Sequence, residues 1–359
     1  MTFGAPSSNA KPYELGKPSV PLATGGRGVI PSELQSLLDA CGVYPLEGRA
    51  QIALSGEDRV RWLNGVISNN VRDLQPGQGV YAFLLNPQGR ILADLYAYNR
   101  ASSLVVDTTE PQLAKVREIF ERYIIMDDVE VRELGGERRG IGIAGPRAQD
   151  VLRSAGVEVP ALGPLDFVDL SNPDPGLTLV RSDNRSLESY ELWLLPESFP
   201  VFWEKLVKSG ATPVGERSLE AIRIAAGIPR YGVDIREREL PQETGQTRAL
   251  HFAKGCYIGQ EIVERIRSRG NVHRLFTGFE VFGALAALPT KIVEDGKEVG
   301  EITSAISLPF AAGERNLALG YLRREFSQPG TQLDASGVRL SVTPIPFSSV
   351  FAAQGKSHV

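Results

Sequence analysis

Gly270 separates two textures in this chain of 359 residues. Downstream, the strand-like runs Phe276 to Val281, Gly296 to Ser304, Ala318 to Leu322 and Val338 to Thr343 follow one another between Gly and Pro turns. That spacing predicts a small antiparallel barrel. Upstream, strands and helices alternate. A short helix is expected over Ser32 to Leu38, with Ser32 and Gln35 at capping-box spacing, then a strand over Gln51 to Leu54. Ser55 and Asp58 resemble a capping signal for a helix through Val66. Val80 to Leu85 and Arg90 to Tyr98 read as a hairpin turning at Asn86, Pro87, Gln88 and Gly89. Leu104 to Val106 continues the sheet. Pro111 then opens a helix whose apolar positions Leu113, Val116, Ile119, Phe120 and Tyr123 follow the helical period.

A second unit repeats the style, with strands over Gly140 to Ala144, Leu177 to Ser182 and Tyr190 to Leu195, and helices over Pro146 to Ser154 and Phe199 to Ser209. The fold class expected is α+β, with two α+β units followed by a barrel. The chain exceeds the size of a single core, so several domains are required. The expected divisions are a Pro/Gly/Ser/Ala-rich flexible tail at 1–28, a first unit at 29–135, a second at 136–272, the barrel at 273–350 and a tail at 351–359. The first residues carry no apolar signal-peptide region and no stretch approaches a membrane span, so a cytoplasmic location is expected.

The run Lys254, Gly255, Cys256, Tyr257, Ile258, Gly259, Gln260, Glu261 carries the chemistry. Past Gly259 the helical signals align: Glu261 and Glu264 in the first turn, Ile262, Val263 and Ile266 as an apolar stripe, arginines near the end, and Gly270 to stop it. Cys256 thus precedes a helix N-terminus, where unpaired N–H groups and the helix dipole favour a thiolate, and Lys254 adds a cation. The competing reading is a buried, inert Cys256 and a solvated Lys254. Glu261 and Arg265 sit at the spacing of an i,i+4 ion pair.

The octapeptide, the stretch from Arg223 to Gln242 (RIAAGIPRYGVDIRERELPQ), and Arg265 with Arg269-Gly270 together resemble the signature of the YgfZ family. These are folate-binding proteins of aminomethyltransferase-like (GcvT) fold, related to a mitochondrial iron–sulfur assembly factor. The resemblance extends from about residue 30 to about residue 350. It implies a ring of two α+β domains and a barrel around a folate-sized hole. It also implies tetrahydrofolate as cofactor and a role in assembling or repairing iron–sulfur enzymes, including cluster-dependent tRNA-modifying enzymes. Lys254 and Cys256 become the reactive pair, with Gly255, Tyr257, Gly259, Gln260, Glu261 and Arg265 supporting the motif.

The same resemblance singles out Asp94, Glu191, Arg223 and Tyr231. By strand alternation Asp94 shares a face with Leu92 and Tyr96, opposite the apolar Ile91, Ala93, Leu95 and Ala97, so on the residues alone it reads as a solvated strand carboxylate, and only the resemblance makes it a catalytic candidate. Aminomethyltransferases carry two adjacent aspartates here, the catalytic one among them; this chain reads Ala93-Asp94. Glu191 falls in LESYELWLLP, similar to the segment whose glutamate holds the pterin, although Arg185, Ser186 and Leu187 replace the family's glycine-rich lead-in. A carboxylate accepts two N–H bonds at once, which suits that task. The alternative is a surface residue paired with an arginine. Arg223 either binds the folate glutamate tail or caps its helix, and Tyr231 falls where transferases stack a tyrosine.

Several classes are disfavoured. A net charge of −4 without a basic block gives no electrostatic footprint for direct nucleic-acid binding. Cys41 and Cys256 form no CxxC pattern and fall short of the four thiolates of a conventional cluster, so the protein is expected to assist cluster proteins, its partners, and not to store a cluster. His251, His273 and His358 show no zinc spacing, and no metal site is expected. No Walker loop or dinucleotide fingerprint is present. Three readings compete: the YgfZ-like accessory protein, an aminomethyltransferase of the glycine cleavage system, and a non-catalytic, folate-regulated docking module. Whether any step is enzymatic turnover stays open, a folate-dependent transferase-like activity being the form it would take.

Overall fold

In chain order, α1 (Pro31–Asp39), β1 (Gly42–Pro45), β2 (Arg49–Ser55), α2 (Arg59–Val66), β3 (Gly79–Leu85), β4 (Ile91–Asn99), β5 (Leu104–Thr109), α3 (Glu110–Tyr123) and β6 (Glu130–Glu133) come first. They are followed by β7 (Arg139–Ala144), α4 (Ala148–Ser154), β8 (Phe167–Leu170), β9 (Leu177–Arg181), β10 (Ser189–Leu194), α5 (Phe199–Lys208), β11 (Thr212–Pro213), α6 (Glu216–Ala225) and α7 (Gln260–Arg269). The remainder is β12 (Arg274–Phe282), β13 (Thr290–Glu294), β14 (Lys297–Phe310), β15 (Gly313–Arg323), β16 (Gln332–Ala335), β17 (Val338–Thr343) and α8 (Ser348–Phe351). This computed structural model describes residues 29–170, 176–270, 272–310 and 313–351; the expected tail at 1–28, most of that at 351–359, and His358 lie outside the described residues.

The strands form a five-stranded sheet ordered β3-β4-β5-β2-β6, a six-stranded sheet ordered β11-β1-β7-β10-β9-β8, and a closed barrel ordered β12-β15-β14-β13-β16-β17. The α+β class and the C-terminal barrel are therefore as expected. One strand departs from the expected division: β1 lies within 29–135 but pairs with β7 and β11 of the second sheet. Four residues without polar alternation give no periodic signal, and only the neighbouring strands decide which sheet receives them.

Capping also differs at two helices. α1 starts at Pro31 behind Ile30, with no side-chain cap, so Ser32 and Gln35 do not form a capping box. Asp58 precedes α2 but makes no cap bond; its carboxylate accepts from the backbone N–H of Asp128 and from Arg61. A donor on a loop close in space outcompeted the N–H groups of α2 for this carboxylate.

The alternation in β4 holds from Ile91 to Ala97. Ile91, Ala93, Leu95 and Ala97 are buried, the last three in the core that α3 covers with Val116, Ile119 and Phe120, while Leu92, Asp94 and Tyr96 are only half-buried. An aromatic seam joins the two sheets: Tyr98 meets Trp193 edge-on at 5.1 Å and Phe167 at 5.8 Å. The barrel is tied on by charge as well as by apolar packing. Glu239, fully buried, receives Arg236, Arg238 and Arg274, and all three also reach Glu301 on β14.

Candidate functional site

The octapeptide is a loop pinned on both sides of an exposed thiol. Lys254 is 9% exposed and Tyr257 7%, whereas Gly255 and Cys256 face solvent. The Lys254 Nζ donates to the carbonyl oxygens of Asn64 (2.5 Å), Ile67 (2.8 Å) and Asn69 (2.7 Å), at and just beyond the C-terminal end of α2. Three N–H groups thus meet the Asn64 carbonyl, which α2 leaves without a helical partner, and two carbonyls just past the helix, and a cation suits the negative end of the helix dipole. Burial, with Arg72 adding to it, lowers the lysine to about 7; the three acceptors oppose that, because only the ammonium supplies three donors. The expectation that Lys254 serves the Cys256 thiol is corrected: its donors are all engaged in fastening the loop.

The rest of the motif builds the helix start. Gly259 stands before α7 with φ +81°, and a Cβ there would lie 2.6 Å from the Asn86 carbonyl oxygen in the β3–β4 turn. Only glycine permits that close approach. The Ile258 N–H donates to Gly65 O, Gln260 Oε1 accepts from the Tyr257 N–H, and Glu261 pairs with Arg265 at 2.6 Å as expected. His251 is no partner for the thiol through its Nδ1, which is buried without a hydrogen bond. Cys41 is buried, and burial pushes its thiol up to about 12, so it is inert.

A second cluster fills the seam between the sheets. Asp94 accepts from the Tyr81 hydroxyl (2.7 Å) and from Gln112 Nε2 (2.8 Å). Burial raises its carboxyl above the ordinary value, while those two hydrogen bonds and then Arg49 and Arg248 pull it back. The Tyr96 hydroxyl lies within electrostatic reach of Arg248, Arg49, Asp94 and Glu191, so the two expected carboxylates share one neighbourhood. Glu191 Oε2 accepts from Trp193 Nε1 at 2.9 Å, and its Oε1 stands 3.7 Å from Arg49 Nη1. Tyr231 is at the edge of this cluster, its hydroxyl donating to Leu92 O and accepting from Lys115 at 3.4 Å.

Arg223 is not part of it. Its five N–H donors go to Glu220 (two bonds), Asp234, the Ile228 carbonyl and Ser304 of the barrel, at 2.6–2.9 Å. No donor is left for a folate tail in this arrangement; Arg223 clasps α6 to the barrel.

Sequence reasoning passed over Arg49, Gln51, Asp107, Tyr81, Gln112 and Arg248. Strand alternation held a signal for the first three: Arg49 and Gln51 are two apart on β2, and Gln51 is opposite Asp107 on β5. Arg49 places Nε and Nη2 on Asp107 Oδ1 (2.6 and 2.5 Å) and Gln51 takes Oδ2 at 2.8 Å. Burial pushes Asp107 up to about 6, against the pull of Arg49. Arg248, stacked 4.4 Å from the Tyr81 ring centre and paired with Asp183, lies in a one-turn helix that no pattern announces.

A cavity of about 330 Å³ abuts this cluster, lined by Gln51, Asp107, Arg49, Trp193, Leu134 and Arg139 among others; Asp94 and Glu191 are not in its wall. Its size is at the lower end for small-molecule sites. For tetrahydrofolate, the test is the donor and acceptor set: Glu191 Oε1, on a side chain 13% exposed, has no donor among the described residues, and aromatic rings of Tyr96, Tyr81 and Trp193 stand near. Those residues fit a flat heterocycle with N–H groups on its edge. No group of His, Cys, Asp and Glu suited to a metal occurs among the described residues. No described helix is long and apolar enough to cross a membrane.

The family described as GCVT N-terminal domain matches residues 15–254. The chain is similar to the aminomethyltransferase of Rippkaea orientalis, 28% identical over 318 residues and covering 84% of each chain. It is similar also to that of Rubrobacter xylanophilus, 27% identical over 325 residues, covering 89% of this chain and 86% of the relative. The crystal structure of glycine cleavage system aminomethyltransferase T from Bartonella henselae superposes with a TM-score of 0.79 at 22% identity, covering 88% of this chain and 89% of that one. Two α+β sheets, a closed barrel and the matched residues lead to one conclusion: the chain belongs to the GCVT N-terminal domain family and has the aminomethyltransferase fold.

Proposed function

We propose that this chain binds tetrahydrofolate in the seam between its two sheets and acts, in the manner of YgfZ proteins, as an accessory to the assembly or repair of iron–sulfur enzymes, tRNA-modifying enzymes included. The observation that carries this reading is the presentation of Cys256. Burying Lys254 and Tyr257 on either side leaves a thiol held out to solvent on a braced loop, which suits a partner's surface better than an enclosed active site. In the seam, Glu191 would accept the pterin N–H groups and Asp94 would stand nearby as a second carboxylate. Bound tetrahydrofolate supplies a carrier for one-carbon units; the chain's own groups orient it and exclude water. The partners are iron–sulfur enzymes or their assembly proteins, and the site of action is the cytoplasm.

Iron–sulfur enzyme activity in a strain lacking this gene tests the reading. The intact protein restores activity, and Cys256→Ala restores less than about a tenth of it while unfolding within about 0.5 kcal/mol of the intact protein, because the side chain is exposed. Equal rescue by both would sink the role of Cys256 and leave a docking module.

A second reading, aminomethyl transfer to tetrahydrofolate in glycine cleavage, is favoured by the names of the similar proteins. It makes Asp94 the working residue in place of Cys256. Transfer from an aminomethyl-bearing carrier protein, abolished by Asp94→Asn and indifferent to Cys256→Ala, would select it.

A further inference from the structure

We propose that Arg49 is a positioning residue for Glu191, acting across the seam between the two sheets. This deepens the folate reading above and rests on it. Arg49 belongs to β2 of the first sheet and Glu191 to β10 of the second. The guanidinium does not simply neutralise the nearest carboxylate. Nε and Nη2 both grip Asp107 Oδ1, and Gln51 occupies Oδ2, so Asp107, 1% exposed, is held from two sides and fixes the plane of the guanidinium. Tyr96, with its ring centre 5.6 Å from the guanidinium carbon, limits its movement further.

What remains is Nη1, aimed at Glu191 Oε1 from 3.7 Å. That distance is longer than a hydrogen bond and within ion-pair reach. Trp193 Nε1 meanwhile ties down Oε2. One oxygen of Glu191 is thus hydrogen-bonded, and the other is held beside a positive charge with its lone pairs open. A half-buried carboxylate in that state accepts donors from a ligand, and the class of ligand it selects is a flat heterocycle with adjacent N–H groups on one edge. Burial works against the charge of Arg49, but Asp107 and then Glu191 more than compensate, so the cation persists. The arrangement has a further consequence. Weakening the grip of Asp107 frees the guanidinium to close the short gap and form a hydrogen bond with Oε1, which removes the acceptor the ligand needs.

Calorimetric titration of the intact protein with tetrahydrofolate under anaerobic conditions, in a double-mutant cycle, tests this. Arg49→Gln and Glu191→Gln each weaken binding about 10-fold, and the double variant is no weaker than Glu191→Gln alone, since coupled residues are non-additive. Arg49→Lys, which keeps the charge and loses the fork, recovers part of the affinity, and Asp107→Asn weakens binding without touching Glu191. Losses that multiply in the double variant overturn the inference while leaving folate binding intact. So does an Arg49→Gln variant that melts lower yet binds normally. If Arg49→Gln does not fold, the same cycle is run with Arg49→Lys. Failure of the intact protein to bind tetrahydrofolate overturns both this inference and the reading beneath it.

Discussion

Single residues in this protein are assigned by what saturates their polar atoms. Lys254 and Arg223 both resemble ligand-binding cations in sequence, and both prove to have every donor engaged with protein. Glu191 is the converse case, with one oxygen lacking a donor among the described residues. Asp107 gives a pH prediction. Its carboxyl is raised from 3.8 to about 6, chiefly by burial. A folded-state value above the unfolded one means that the folded chain binds the proton more tightly, so the associated stability is present below pH 3.8 and is lost as pH rises through about 6. A shift of that size corresponds to about 3 kcal/mol. Urea denaturation between pH 4 and 7 should therefore show Asp107→Asn losing less stability with rising pH than the intact protein. Parallel pH profiles would mean that Asp107 is ionised over the whole range.

At the scale of elements, the octapeptide joins three pieces. Lys254 closes the end of α2, Ile258 bonds to Gly65 within it, and Gly259 lets α7 start against the β3–β4 turn. Gly89 of that turn completes the contact, with φ +72° and room for no Cβ beside Ile262. Gly259→Ala should cost about 1–3 kcal/mol, from the strained φ and the clash with Asn86 O together. It should also loosen the loop, seen as faster hydrogen exchange at Tyr257 to Val263. A variant with unchanged melting and exchange would show that the turn yields easily. The strand face carrying Asp94 and Tyr96 was legible because alternation is a local property. The residues opposite were not, because β2 pairs with β5 from far away in the chain.

Over the whole molecule, two seams differ in character. The sheets meet through aromatic rings and two bridging arginines, Arg49 to Glu191 and Arg100 to Asp169, whereas the barrel is fastened by buried charges. Arg274 reaches Glu239, Glu243 and Glu301 at once, so Arg274→Ala leaves buried carboxylates short of a partner, at a cost of about 3–5 kcal/mol. Calorimetry should show the barrel melting ahead of the sheets; a single unshifted transition would mean that apolar packing by α6 and the barrel suffices.

The α+β class, the barrel after Gly270, the start of α7 and the two faces of β4 are legible in the sequence alone. Each follows from a period, a turn residue or a cap within a few neighbours. The folded chain, through long-range contacts, sets that β1 joins the second sheet, that Lys254 fastens α2 and not the thiol, that Arg223 clasps the barrel, and that Arg49 spans the seam to Glu191. A charged side chain takes the partner that best compensates its burial, and that partner is brought near by strands and loops far away in the chain.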